Sequence, residues 1–124
     1  MNRRSFLSFA AIGLATLPAT KLLAGGHGRT GTFVGASNHV TTGTAEIAGN
    51  QVNLLADFTF DGAPDPKVAL GKDGYDSSTL MGLLTSNEGA SSYAIPAGID
   101  PSEYNEVWIW CEKFNVPLGV AKLN

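Results

Sequence analysis

Between residues 51 and 60 the chain alternates. Val52, Leu54, Ala56, Phe58 and Phe60 fall on one side and Gln51, Asn53, Asp57 and Thr59 on the other, with Leu55 the exception. A period of two over such a run predicts a half-buried strand. The preceding segment, His39 to Ala48, is rich in Val, Thr and Ile, and Gly49-Asn50 supplies a two-residue connection that tolerates positive φ, so the pair reads as a hairpin. Brief strands are predicted at Val68 to Leu70, between Pro66 and Gly71, and at Ser92 to Ile95, just ahead of Pro96. Leu80 to Leu84 is too short an apolar run to separate strand from helical turn, and is read as strand. The most strongly written elements are Glu106 to Cys111 and Val116 to Leu123, joined by Glu112 to Asn115.

No segment of the mature chain repeats apolar residues at i, i+3, i+4 and i+7 for long enough to make a substantial helix. The expected fold is therefore all-β: a small antiparallel sandwich or flattened barrel of about seven to eight short strands. So small a chain buries a modest share of its surface, so Trp108, Trp110, Phe58, Phe60 and Phe114 are expected to supply much of the core. In the strand through Cys111, Val107 and Ile109 share the cysteine's face while Trp108 and Trp110 share the other. With both faces apolar, that strand is expected to be central and covered on both sides.

The first two dozen residues follow different rules. Arg3-Arg4 directly precedes an apolar run from Phe6 to Leu17, too short to span a bilayer comfortably, and Leu22-Leu23-Ala24 ends in a small residue. A basic start, a short apolar middle and a small residue describe a secretory signal, and the paired arginines make it twin-arginine type. Residues 1–24 are thus expected to be an export signal of a bacterial periplasmic or secreted protein, 25–30 a flexible leader and 31–124 the folded domain, with the membrane involved only through the signal.

Charge adds an exclusion. The 124 residues hold 8 Lys plus Arg against 11 Asp plus Glu, a net −3. Beyond Ala24, Arg29, Lys67, Lys72, Lys113 and Lys122 face all eleven acids, a net of −6. Such a domain has no basic field for a phosphate backbone, so nucleic acid is not an expected partner. A single cysteine, Cys111, rules out an internal disulfide framework and any multi-cysteine metal cage. In an oxidising compartment an unpaired thiol must be buried, ligated or bonded to another chain. As a strand residue among apolar neighbours Cys111 reads as a small core hydrophobe. Its place at the strand's end, beside Glu112 and Lys113, leaves a reactive site open.

Several blocks, in order, carry a family resemblance: Gly31-Thr32-Phe33; His39-Val40-Thr41-Thr42-Gly43; Phe58-Thr59-Phe60-Asp61-Gly62-Ala63-Pro64-Asp65-Pro66-Lys67-Val68-Ala69-Leu70; Tyr93-Ala94-Ile95-Pro96; and Trp108-Ile109-Trp110-Cys111-Glu112-Lys113-Phe114-Asn115-Val116-Pro117-Leu118-Gly119-Val120-Ala121. Together they resemble the electron-transfer DM-thirteen domain over nearly all of residues 31 to 124. The resemblance implies a small extracytoplasmic all-β module, found alone in bacteria and beside DOMON domains in animals, working with a redox partner protein. The family's cysteine falls on Cys111, and the role it implies is redox, as a bare thiol or through a prosthetic group such as haem. Thiolate and imidazole are both axial haem ligands, so Cys111 and His39 are the cofactor-binding candidates, with Met81 a weaker axial candidate better read as core filling. No Cys-x-x-Cys-His occurs, which excludes covalent c-type attachment.

Other constellations weigh less. Cleavage after Ala24 would expose Gly25-Gly26-His27, whose amine, amides and imidazole could form a square-planar Cu²⁺ or Ni²⁺ site, so His27 is a metal candidate on that condition alone. Asp57, Asp61, Asp65, Asp73 and Asp76 crowd a Gly/Pro-rich stretch without the EF-hand spacing, which reads as a solvated acidic loop. There is no nucleophile elbow and no phosphate-cradling loop, so a hydrolase or nucleotide enzyme is not expected. The competing class is a non-redox binding module in which Cys111 is structural.

Overall fold

The computed structural model describes residues 28–124; the twin-arginine segment, the Ala24 cleavage position and His27 lie outside the described residues. Ten strands follow one another: β1 (Arg29–Gly35), β2 (Thr41–Thr42), β3 (Thr44–Ala48), β4 (Gln51–Leu54), β5 (Thr59–Phe60), β6 (Pro66–Gly71), β7 (Tyr75–Asp76), β8 (Ser91–Ala94), β9 (Glu106–Cys111) and β10 (Val116–Lys122). Eight of them form one antiparallel sheet in the order β7-β6-β9-β10-β1-β3-β4-β8, curled into a half-barrel, while β2 and β5 make a separate ladder. The domain is all-β as expected, built on one curled sheet. Two short 3₁₀ turns, Ser77–Thr79 and Pro101–Glu103, are the only helical pieces among the described residues.

The β3–β4 hairpin turns at Gly49-Asn50 with Ala48 opposite Gln51, as the pattern predicts. The two long strands expected here are each broken in two. Gly43, at φ 100°, divides 39–48, because a β-carbon there would lie 2.5 Å from both the Asp57 carbonyl oxygen and Phe58 Cα. Asp57 holds the junction by accepting from the Thr44 amide at 2.9 Å and its hydroxyl at 2.8 Å. The partner strand breaks at Leu55, where the alternation fails, and the Phe58 amide turns back to the Leu55 carbonyl. The freed β2 and β5 pair only with each other. Leu80 to Leu84 runs extended along β6, with the Met81 amide donating to Val68 and the Leu84 amide to Pro66, interrupted by Gly82 at φ 99°.

β1 has no counterpart in the apolar pattern. Its first half pairs with β3, from Arg29 opposite Ile47 to Thr32 opposite Thr44, and its second half with β10, from Phe33 opposite Ala121 to Gly35 opposite Gly119. Only Phe33 along it is buried. A strand of Thr and Gly pays its way through backbone bonds to two neighbours, which leaves little hydropathy signature.

The inner face holds the core. Phe58, Val68, Leu70, Val107, Ile109 and Cys111 are fully enclosed, and Phe33 meets Phe58 edge to face at 5.5 Å. Burying each such side chain is worth about 1.5–3 kcal/mol. Phe60 joins this cluster, but Trp108 and Trp110 do not: they stand half-buried on the outer face. Phe114 projects from the β9–β10 turn, 58% exposed. β9 is thus central, between β6 and β10, with its outer face open.

Candidate functional site

Cys111 ends β9, opposite Pro66 on β6 and Val116 on β10. The period of two that turns Val107 and Ile109 inward turns Cys111 inward as well, and its exposure is 0%. The exit past it is tied down. The Glu112 amide donates to the Asp65 carbonyl at 3.2 Å, and Lys67 Nζ bridges Glu112 Oε1 and Asp65 Oδ1. The Glu112 hydrogen bond raises the Lys67 ammonium above its ordinary range. Lys113 points elsewhere, its Nζ 5.5 Å from the Phe114 ring centre.

His39 lies in the β1–β2 loop. Its Nδ1 is 2.8 Å from Asp61 Oδ1, and its ring tilts over Phe60 with centres 5.6 Å apart. Asp61 Oδ2 accepts the Val40 amide at 3.0 Å, and that bond, followed by the His39 contact, lowers the Asp61 carboxyl below its usual value. No hydrogen bond or ring contact among the described residues joins His39 to Cys111. Met81 packs half-buried against the core cluster. Cys111 is 0% exposed in a core cluster that also holds Ile109, Val68 and Leu118, all at 1% exposure or less, so the close-packed interior around the thiol does not fit a macrocycle in this fold. The surface cleft of Arg29, Ile47, Asn50, Asp100 and Pro101 shares no residue with that neighbourhood.

The outer face of the same strand carries a second arrangement. Register aligns Lys67, Trp110 and Pro117 in one row, Ala69, Trp108 and Val120 in the next, and Gly71, Glu106 and Lys122 in a third. Tyr75, opposite Gly71, enters from β7 and stacks on Trp110 at 3.8 Å and 7°. Trp108 meets Trp110 edge-on at 5.9 Å and 79°. Small residues at 69 and 71 leave room for the rings. Glu106, only 3% exposed, accepts from Trp108 Nε1 at 3.0 Å and from the Gly74 amide at 2.8 Å through the same Oε1. Trp110 Nε1 donates to Asn115 Oδ1 at 3.3 Å. Partial burial, then the Glu112 and Asp76 charges, raise the Tyr75 phenol, keeping it protonated.

The model of the family described as Electron transfer DM13 matches residues 32–123. The chain belongs to that family. As a DM13 domain it is a redox, electron-transfer module. No curated protein and no solved structure matches it.

In this DM13 domain the acidic stretch does not converge. Asp57 binds Thr44, Asp61 binds His39 and Val40, Asp65 approaches Lys67, Asp73 meets Asn105, and Asp76 caps Ser78 while accepting from Tyr104 Oη at 2.9 Å. Among the described residues no three His, Cys, Asp or Glu side chains come together as a metal site. Tyr75, Glu106 and Gly71 escaped the sequence reading. Tyr75 sits in a two-residue strand amid Gly and Asp, and its meeting with Trp110 depends on the register of β6 against both neighbours.

Proposed function

We propose that this DM13 domain is an exported electron-transfer module whose redox centre is the bare thiol of Cys111, exchanging electrons across the sheet and not by disulfide exchange. The observation that carries the reading is the enclosure of the sole thiol at 0% exposure, one residue from a half-exposed tryptophan on the opposite face. A partner's sulfur has no path to attack a thiol so placed, whereas a one-electron partner needs only proximity through packed atoms: it takes one electron from the thiol, the S–H proton leaves to solvent, and the thiyl radical that remains regains both on reduction. The twin-arginine pattern supports export, and hence a periplasmic or secreted redox partner. The same enclosure also favours a second reading, a binding module in which Cys111 only fills the core.

The two separate in one experiment. Protein exported by a bacterium and purified without added cofactor is examined by ultraviolet–visible spectroscopy with and without dithionite, then titrated with one-electron mediators alongside Cys111→Ser. The expected result is a bare protein spectrum, a thiol alkylated only after unfolding, and a reversible wave that the variant loses. A redox-sensitive Soret band would replace the bare thiol with haem. A wave kept in Cys111→Ser would make the cysteine structural.

A further inference from the structure

The outer face of β9 holds three aromatic rings in continuous contact with a buried carboxylate at one end. Trp110 touches Tyr75 face to face and Trp108 edge to face. The Trp108 indole N–H is aimed at Glu106 Oε1 at 3.0 Å. Glu106 is 3% exposed, and among the described residues no Lys or Arg nitrogen lies within ion-pair distance of it; Lys122, opposite it on β10, is exposed. Its Oε2 takes no hydrogen bond among the described residues. A buried carboxylate without a countercharge is costly as a mere strut. An oxidised indole, by contrast, must shed its N–H proton to become a neutral radical, and an acceptor already in hydrogen-bond reach lowers the barrier.

We propose that Tyr75, Trp110 and Trp108 form a one-electron relay, with Glu106 the base that takes and returns the Trp108 indole proton. It rests on the electron-transfer reading of the domain and not on the role of Cys111. A one-electron oxidant of the radical class removes an electron from the tryptophan pair. The Trp108 Nε1 proton passes to Glu106, leaving a neutral indolyl radical and a carboxylic acid. Tyr75 then supplies an electron through its stack with Trp110, Glu106 gives its proton back to Nε1, and the phenolic proton of Tyr75 leaves to water. The net change is one electron and one proton lost from Tyr75 at the half-exposed end.

Pulse radiolysis of the purified full chain with azide radical, which oxidises indole selectively, tests this. Wild type is expected to convert indolyl absorbance to phenoxyl absorbance in a first-order step whose rate is independent of protein and buffer-base concentration. Tyr75→Phe keeps the stacked ring and loses most of the phenoxyl yield. Glu106→Gln keeps an acceptor oxygen but not the base, so the first species seen is the longer-lived indole cation radical. An undiminished phenoxyl yield in Tyr75→Phe, or conversion that scales with protein concentration, overturns the relay. Acceleration by added phosphate base in wild type overturns the role of Glu106 even if Glu106→Gln does not fold. Cys111→Ser keeps the conversion, so failure of the thiol reading and failure of the relay give different results.

Discussion

Replacing Gly71 with alanine tests how tightly the outer-face cluster is built. A β-carbon at Gly71 would press against the Gly74 carbonyl oxygen and Trp108 Nε1 and come within 2.8 Å of Glu106 Oε1. Reduced freedom of the unfolded chain favours alanine by about 0.4–1 kcal/mol. Opposing it, overpacking costs about 1–3 kcal/mol, because one contact is backbone and the other two are the ends of one hydrogen bond. Relief by swinging Glu106 aside gives up its bonds to Trp108 and Gly74, each worth about 1.5–3 kcal/mol when one partner is charged. The clash wins, and Gly71→Ala should destabilise by about 1–2.5 kcal/mol, the cheaper of the two routes less the unfolded-chain gain. For a domain of this size that lowers the melting temperature by roughly 5–20 °C. Thermal unfolding followed by near-ultraviolet circular dichroism reads both stability and the stacked rings. Gly49→Ala is the control, since Gly49 sits at φ 59° with nothing within 4 Å of its β-carbon position. There only backbone strain of about 1–2 kcal/mol applies. If Gly71→Ala melts as high as wild type with its aromatic signal intact, the packing argument is wrong.

Cys111→Ser should cost more stability than Cys111→Ala, because the hydroxyl enters an apolar enclosure at a penalty of about 1–3 kcal/mol; urea titration compares them, and equal midpoints would mean that the serine finds a partner. Thr79 is fully buried, its hydroxyl accepting from the Leu70 amide at 2.7 Å and lying 2.7 Å from the Asp76 carbonyl. Thr79→Val leaves that amide bare and should lower unfolding free energy by about 1–3 kcal/mol, with amide exchange at Leu70 speeding in step. Asp61, Asp76 and Asp100 are all lowered from their ordinary value, first by the Val40 amide at Asp61 and by Ser78 and Ser102 at the other two. A depressed carboxylate stabilises the fold above the unfolded pKa of about 3.9 and loses that contribution as pH falls through its native pKa. The urea midpoint should therefore fall below about pH 4, less steeply in Asp76→Asn; identical acid profiles would remove Asp76 from the account.

Much of the strand content was legible because half-buried antiparallel strands write period two into the chain. The β3–β4 and β9–β10 hairpins stand where alternation and turn residues put them. β1 was not legible, since Thr30, Gly31 and Thr32 earn their place through hydrogen bonds on both sides and carry no apolar stripe. The breaks at Gly43 and Leu55 had local signs, a glycine and a failed alternation, whose meaning required knowing that the two segments approach each other. Cys111 could be placed on the inner or outer face only relative to the tryptophans, and bulk suggested the wrong side for the core. Ala69 and Gly71 face outward beside the tryptophans, and their small side chains leave the space that the two indoles and Tyr75 fill on the outer face. Glu106 showed as a strand-starting acid; its burial depends on Trp108, two residues on, and on Gly74 from another hairpin.

The double pairing of β1 also dictates an order of events as the chain leaves the ribosome. β3 follows β1 closely, so that ladder forms early and locally. The other half of β1 waits for β10, and the Thr30 carbonyl for the amide of Asn124, so the sheet cannot close until residues 116–124 have emerged. Such distant pairing slows folding, because loop closure must precede the contacts that reward it. A ribosome-stalled chain lacking β10 would present the unpaired edges of β1 and β9 together, a template for wrong pairing that only the final strand removes.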